Sequence, residues 1–98
     1  MHEVVYMKAE FEPWWMFEEW EEKVLSRKTF SSKVEARKYW DGLVEELRRN
    51  YPLSEIREPA FAAFWLEGEI EYCESCDDDM QMYYGLLWLE NGSPIKSF

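Results

Sequence analysis

Histidine occurs once in the 98-residue chain, at His2, and beside a flexible terminus it is not expected to anchor a nucleophilic triad. Glycine is nearly as scarce, with four residues, and forms neither a phosphate-binding loop nor a nucleophile elbow. Two cysteines, Cys73 and Cys76, are too few and too close to make a secreted disulfide framework. The longest apolar run, Ala60 to Leu66, is seven residues, far short of a membrane span. No basic region followed by an apolar stretch opens the chain, so a signal peptide is not expected and the default location is cytoplasmic. Carboxylate pairs such as Glu18-Glu19 and Glu45-Glu46 are adjacent and diverge on a helix, and a chain this short has little room for a glycosidase cleft. The expectation is a protein without enzymatic activity or cofactor.

What the chain has in excess is acid and aromatic surface. Its net charge is −10, spread as −6 over residues 1–22, +4 over residues 23–50 and −8 over residues 51–98. Aromatics are 18% and hydrophobic residues 47%, so one packed domain over residues 1–98 is expected and disorder is not. The densest feature is Glu12-Pro13-Trp14-Trp15-Met16-Phe17-Glu18-Glu19-Trp20, with three tryptophans in seven residues. Tryptophan in such density marks a core anchor or a binding hot spot.

Local patterns predict an α+β fold, a mostly antiparallel sheet of four to five strands against one long helix at about residues 33–50. Glu3 to Ala9 reads as a first strand and Val24 to Phe30 as a second. Glu10 to Pro13 is a turn or loop, followed by a short helical turn. Ser32 with Glu35 forms a capping box, and Ala36, Trp40, Leu43, Val44, Leu47 and Tyr51 repeat as one apolar stripe until Pro52. Gly42, inside that helix, is there for close contact with the sheet or is simply tolerated. Leu53 to Pro59 reads as a connector. Ala60 to Leu66 is compatible with helix or strand, and strand is preferred. Glu69 to Glu74 alternates as a half-exposed strand, Ser75 to Asp79 is a loop, and Met80 to Leu89 reads as one long strand. Asn91-Gly92 signals a type I′ turn, after which Ser93 to Phe98 returns briefly or frays. In the long strand Met80, Met82, Tyr84, Leu86 and Trp88 take one face, with Tyr83, Leu87 and Leu89 on the other. Both faces are apolar, yet one helix is available. The Trp14–Trp20 segment, a second copy of the chain or a partner must cover the second.

The run Glu12-Pro13-Trp14-Trp15, then Phe17 and Trp20, together with Phe64-Trp65, Tyr72-Cys73-Glu74-x-Cys76-Asp77, Gln81 and Tyr83, resembles the domain-of-unknown-function family numbered 1033. The resemblance covers nearly the whole chain. It implies a small cytosolic protein of the kind found in low-GC Gram-positive bacteria, some of which carry a DNA-binding label. It brings no activity, cofactor or catalytic residue, so no role is carried over.

Four constellations could carry function. Cys73 and Cys76 can supply half of a tetrahedral zinc site, which would make a zinc-stabilised structural domain. Two more ligands are needed, and His2 sits beside a flexible terminus. A redox role is disfavoured, because Glu71, Glu74 and Asp77-Asp78-Asp79 oppose a thiolate. The plainer reading is a pair of inert thiols at a turn. The three aspartates could chelate Mg²⁺ or Ca²⁺, but without EF-hand spacing they read better as an acidic, solvated loop.

Lys23, Arg27, Lys28, Lys33, Arg37 and Lys38 form the candidate nucleic-acid face. Binding there would be weak, since the global field repels a polyanion, and pairing with the chain's own acids is preferred. Trp14, Trp15, Phe17, Glu18, Glu19 and Trp20 form the candidate interaction surface. It is an acid-rimmed aromatic patch for a protein partner, or for a second copy as a homodimer, and it suits a basic partner. The alternative is that these rings cover the open sheet face.

Overall fold

The computed structural model describes residues 1–74 and 76–98. Strands β1 (His2–Ala9), β2 (Val24–Phe30), β3 (Leu53–Arg57), β4 (Phe61–Trp65) and β7 (Tyr83–Glu90) form an antiparallel path in the order β2-β1-β7-β4-β3. The two-residue β8 (Ser93–Pro94) pairs with β7 beyond the end of β4. A separate two-stranded ribbon, β5 (Ile70–Cys73) with β6 (Asp78–Gln81), stands off the sheet. The single α-helix among the described residues, α1 (Lys33–Asn50), lies across one face. The α+β class, the long helix and the four to five principal strands are those expected from the sequence.

The helix forms where its local signals place it. Ser32 is the N-cap, its Oγ accepting the Glu35 N–H at 3.4 Å, and Tyr51 closes the other end by donating its N–H to the Leu47 carbonyl at 2.9 Å. Ala36, Trp40 and Leu47 are buried, and Leu43, Val44 and Tyr51 pack at the margin. Against them the sheet presents Val4, Ala62, Phe64, Leu86 and Trp88, with Trp40 and Trp88 at 5.9 Å between ring centroids. Gly42 faces open space, so it is tolerated and makes no close contact with the sheet. Asn91 and Gly92 both have positive φ, 52° and 87°, as a type I′ turn requires, and they return the chain from β7 to β8.

Three local expectations are corrected. Leu53 to Pro59 is no mere connector: β3 pairs along its whole length with β4, from Leu53↔Trp65 to Arg57↔Phe61. Ser54, Glu55 and Arg57 are polar and exposed, which suits an edge strand and leaves it without apolar alternation. Met80 to Leu89 is not one strand. It breaks at Met82, so β6 pairs with β5 while β7 enters the sheet. Gln81 fixes that corner, its side-chain amide donating to the carbonyls of Leu66, Glu69 and Met82 and accepting from the Gly68 N–H. Finally, Asp78 and Asp79 belong to β6, while Asp77 turns with φ at 52°. Ser75, the first residue of the loop expected there, lies outside the described residues.

The second sheet face is the decisive feature. Val5, Met7, Ala9, Leu87 and Leu89 point away from the helix and are all buried. What buries them is the chain itself, with Phe11, Met16, Trp20 and Val24 closing over them. The cover is the segment 10–24, which contains two short 3-10 turns, Pro13–Trp15 and Trp20–Lys23. Burying a side chain of this size contributes about 1.5–3 kcal/mol. For Val5, Met7, Leu87 and Leu89 together that is roughly 6–12 kcal/mol, comparable with the net stability of a whole domain. The cover is therefore structural, and only its outer side is available for another role.

Candidate functional site

The cover turns some of its rings inward and others outward. Pro13 is buried against β7. Trp14 is half-buried, with the Arg57 guanidinium of β3 over its ring at 3.9 Å, and its buried Nε1 has no hydrogen-bond acceptor among the described residues. Trp20 is half-buried with Arg27 of β2 over its ring at 5.8 Å. Both indoles thus already hold a cation supplied by the chain. Met16 takes a left-handed backbone, φ 43° and ψ 50°, between the two residues that turn outward. Trp15 is 57% exposed and Phe17 53%. Their rings lie parallel within 4° at 6.1 Å between centroids, and Phe11 meets Phe17 edge-on at 5.0 Å. The aromatic run therefore divides, Trp14 and Trp20 going to the cover and Trp15 and Phe17 to the surface, where Glu18 and Glu19 are exposed beside them.

A cleft of about 420 Å³ opens beside this pair. Glu10, Phe17, Glu18, Glu19 and Lys23 of the cover line one side, and Cys76 and Met80 of the ribbon the other. A neighbouring cleft of about 400 Å³ shares Glu10, Glu19 and Lys23 and is completed by Glu71, Cys73, Glu74 and Met82. The ribbon and the cover thus bring together the aromatic run, the first residue of the basic segment and both cysteines. Lys23 Nζ lies 3.4 Å from Glu10 Oε2, and Lys8 of β1 pairs with Glu71 of the ribbon. Glu10 had no distinguishing signal in the sequence beyond its place in a loop. The structure puts its carboxylate and the two sulfurs within 4.8 Å of one another.

His2 is not at a flexible terminus. It is 6% exposed within β1, and its Nδ1 accepts the Trp88 Nε1–H at 3.2 Å. Seven residues of strand lie between it and Glu10, about 25 Å at strand rise, so it is no ligand for the cysteines.

The six basic residues do not share one surface. Lys23 pairs with Glu10, and Arg27 pairs with Glu3 at 3.3 Å and Glu21 at 3.5 Å, on the cover side of the sheet. Lys28 lies over the Tyr39 ring at 5.7 Å on the helix side. Arg37 pairs with Asp41 at 3.1 Å and lies 3.6 Å from the Phe98 ring centroid. Lys33, Arg37 and Lys38 line a small apolar recess with Val34, Trp88 and Phe98.

Sequence reasoning did not single out a cluster of phenols at the C-terminal end of α1. Tyr84 stacks on Tyr51 at 4.6 Å and on Tyr6 at 6.2 Å, and its Oη donates to Glu69 Oε2 at 2.8 Å. Burial, with Tyr51, Glu69 and Glu46 nearby, pushes the Tyr6 phenol up to about 12. Burial, then the bond to Glu69, pushes Tyr84 up as well.

Among the described residues, no helix is long and apolar enough to cross a membrane. No curated protein and no solved structure matches the chain. The family model described as a protein of unknown function, DUF1033, matches residues 1–97, and the chain belongs to that family.

Proposed function

We propose that this protein is a cytoplasmic, non-enzymatic interaction module whose docking surface is the outward pair Trp15 and Phe17 with its rim of Glu18 and Glu19. The observation that carries this reading is the exposure of two stacked rings on a segment whose inner side is committed to the core. Ordered aromatic rings give contact area at little entropic cost, and interface hot spots are enriched in them. The partner is a protein segment rich in lysine and arginine. With −10 net charge and acids beside the rings, a second copy would bring like charge onto like charge, whereas a basic segment gains both Coulomb attraction and cation–π contact.

Titration with a lysine- and arginine-rich peptide, followed by indole fluorescence at physiological salt, tests it. Binding should weaken at least about tenfold in the W15A/F17A double variant. The E18Q/E19Q variant should lose mainly association rate and salt dependence. Equal binding by wild type and W15A/F17A, or concentration-dependent dimerisation through the same rings, would remove the reading.

A further inference from the structure

We propose that Glu10, Cys73 and Cys76 bind one zinc ion. The inference is independent of the docking surface and rests on a different set of residues. Glu10 follows the last residue of β1, Cys73 ends β5, and Cys76 lies in the turn before β6, so two elements 63 residues apart converge on one point. Their donor atoms all lie within 4.8 Å of one another. Tetrahedral zinc, with bonds of about 2.3 Å to sulfur and about 2.0 Å to oxygen, wants donors about 3.5–3.8 Å apart. The set closes with side-chain movements of about 1 Å.

Three further features fit a cation here. Cys73 Sγ accepts the Cys76 N–H at 3.3 Å, the kind of supporting bond that orients a metal-bound thiolate. Lys23 holds the Glu10 carboxylate at 3.4 Å in the same supporting role. The charges also balance, because two thiolates and a carboxylate are neutralised by Zn²⁺ and the Lys23 ammonium together. Sulfur donors favour zinc over the Mg²⁺ or Ca²⁺ that the aspartates alone would suggest. Cys76 and Cys73 line the two neighbouring clefts and Glu10 lines both, so a fourth position faces open space and takes water. Binding releases the thiol protons and ties the ribbon to the cover.

The test is titration of reduced, metal-free protein with Co²⁺, followed by displacement with Zn²⁺. One metal per chain should bind, with tetrahedral d–d absorption and thiolate-to-cobalt charge transfer. C73S and C76S should lose those bands. Cys76 is exposed, so C76S keeps its fold, which circular dichroism checks. E10Q should weaken binding beyond the roughly 10–100-fold that loss of a supporting contact costs, and should shift the d–d bands. W15A/F17A should bind metal as the wild type does, whatever its peptide affinity. Zinc should raise the unfolding temperature of the wild type and not of C76S. No tetrahedral spectrum, one metal per two chains, or E10Q binding like wild type would each overturn the three-residue site.

Discussion

Gly85 in the central strand β7 lies so close beneath Pro13 that an added Cβ would stand 2.9 Å from the proline Cβ. Glycine inside a strand weakens it, and here it admits the proline ring that anchors the aromatic cover. G85A should therefore force the 3-10 turn off the sheet. We expect a loss of about 1–3 kcal/mol in urea unfolding. Acrylamide quenching of the indoles should rise in the folded protein. Unchanged stability would mean that the cover is held elsewhere.

Removing Trp15 and Phe17 should have the opposite profile. Both rings are more than half exposed, so the double alanine variant should unfold within about 0.5–1 kcal/mol of the wild type. A loss of several kcal/mol in chemical denaturation would show that the pair is part of the core, and would take the docking surface with it.

His2 has a structural role. H2A leaves the Trp88 indole N–H buried without its acceptor, which costs about 1–3 kcal/mol. H2Q, whose side-chain oxygen accepts a hydrogen bond, should recover part of that loss. Thermal unfolding of the two variants compares them directly.

The phenol cluster sets an alkaline limit. Tyr6 and Tyr84 titrate higher in the folded chain than the ordinary phenol value of 10.0, because burial disfavours the phenolate. Their contribution to stability is complete below about pH 10, where the unfolded phenols are also neutral. Above it the unfolded state loses protons that the folded state keeps, so stability falls from pH 10 towards pH 12. The urea midpoint should drop across that window, and the drop should be shallower in Y84F. A flat profile would show that the phenols titrate normally.

How far the chain could be read without its fold depended on the range of the interaction concerned. Helix α1 was legible to its caps because Ser32, Glu35 and the apolar stripe act within a turn or two of one another. Strand β4 was legible, more narrowly, from its aromatic content and the strand after it. Strand β3 was not, because Ser54, Glu55 and Arg57 carry no apolar alternation and become a strand only by pairing with β4. The break at Met82 was hidden for a similar reason: the Gln81 amide bonds that turn the corner reach back to Leu66 and Gly68.

The same division applies to the candidate sites. That the sheet would be apolar on both faces was readable from the alternation of Leu86, Leu87, Trp88 and Leu89, because side-chain direction in a strand is local. The aromatic density, the acidity and the Cys73–Cys76 spacing were equally open to inspection. Which rings cover the sheet and which face outward was decided by the packing of Pro13 on Gly85 and by the arginines over Trp14 and Trp20. The pairing of Glu10 with two cysteines 63 and 66 residues later was likewise decided only in three dimensions. Composition and period determine what must be buried. Only the closed chain, in which distant segments compete for one apolar face, determines what is left outside to meet a ligand.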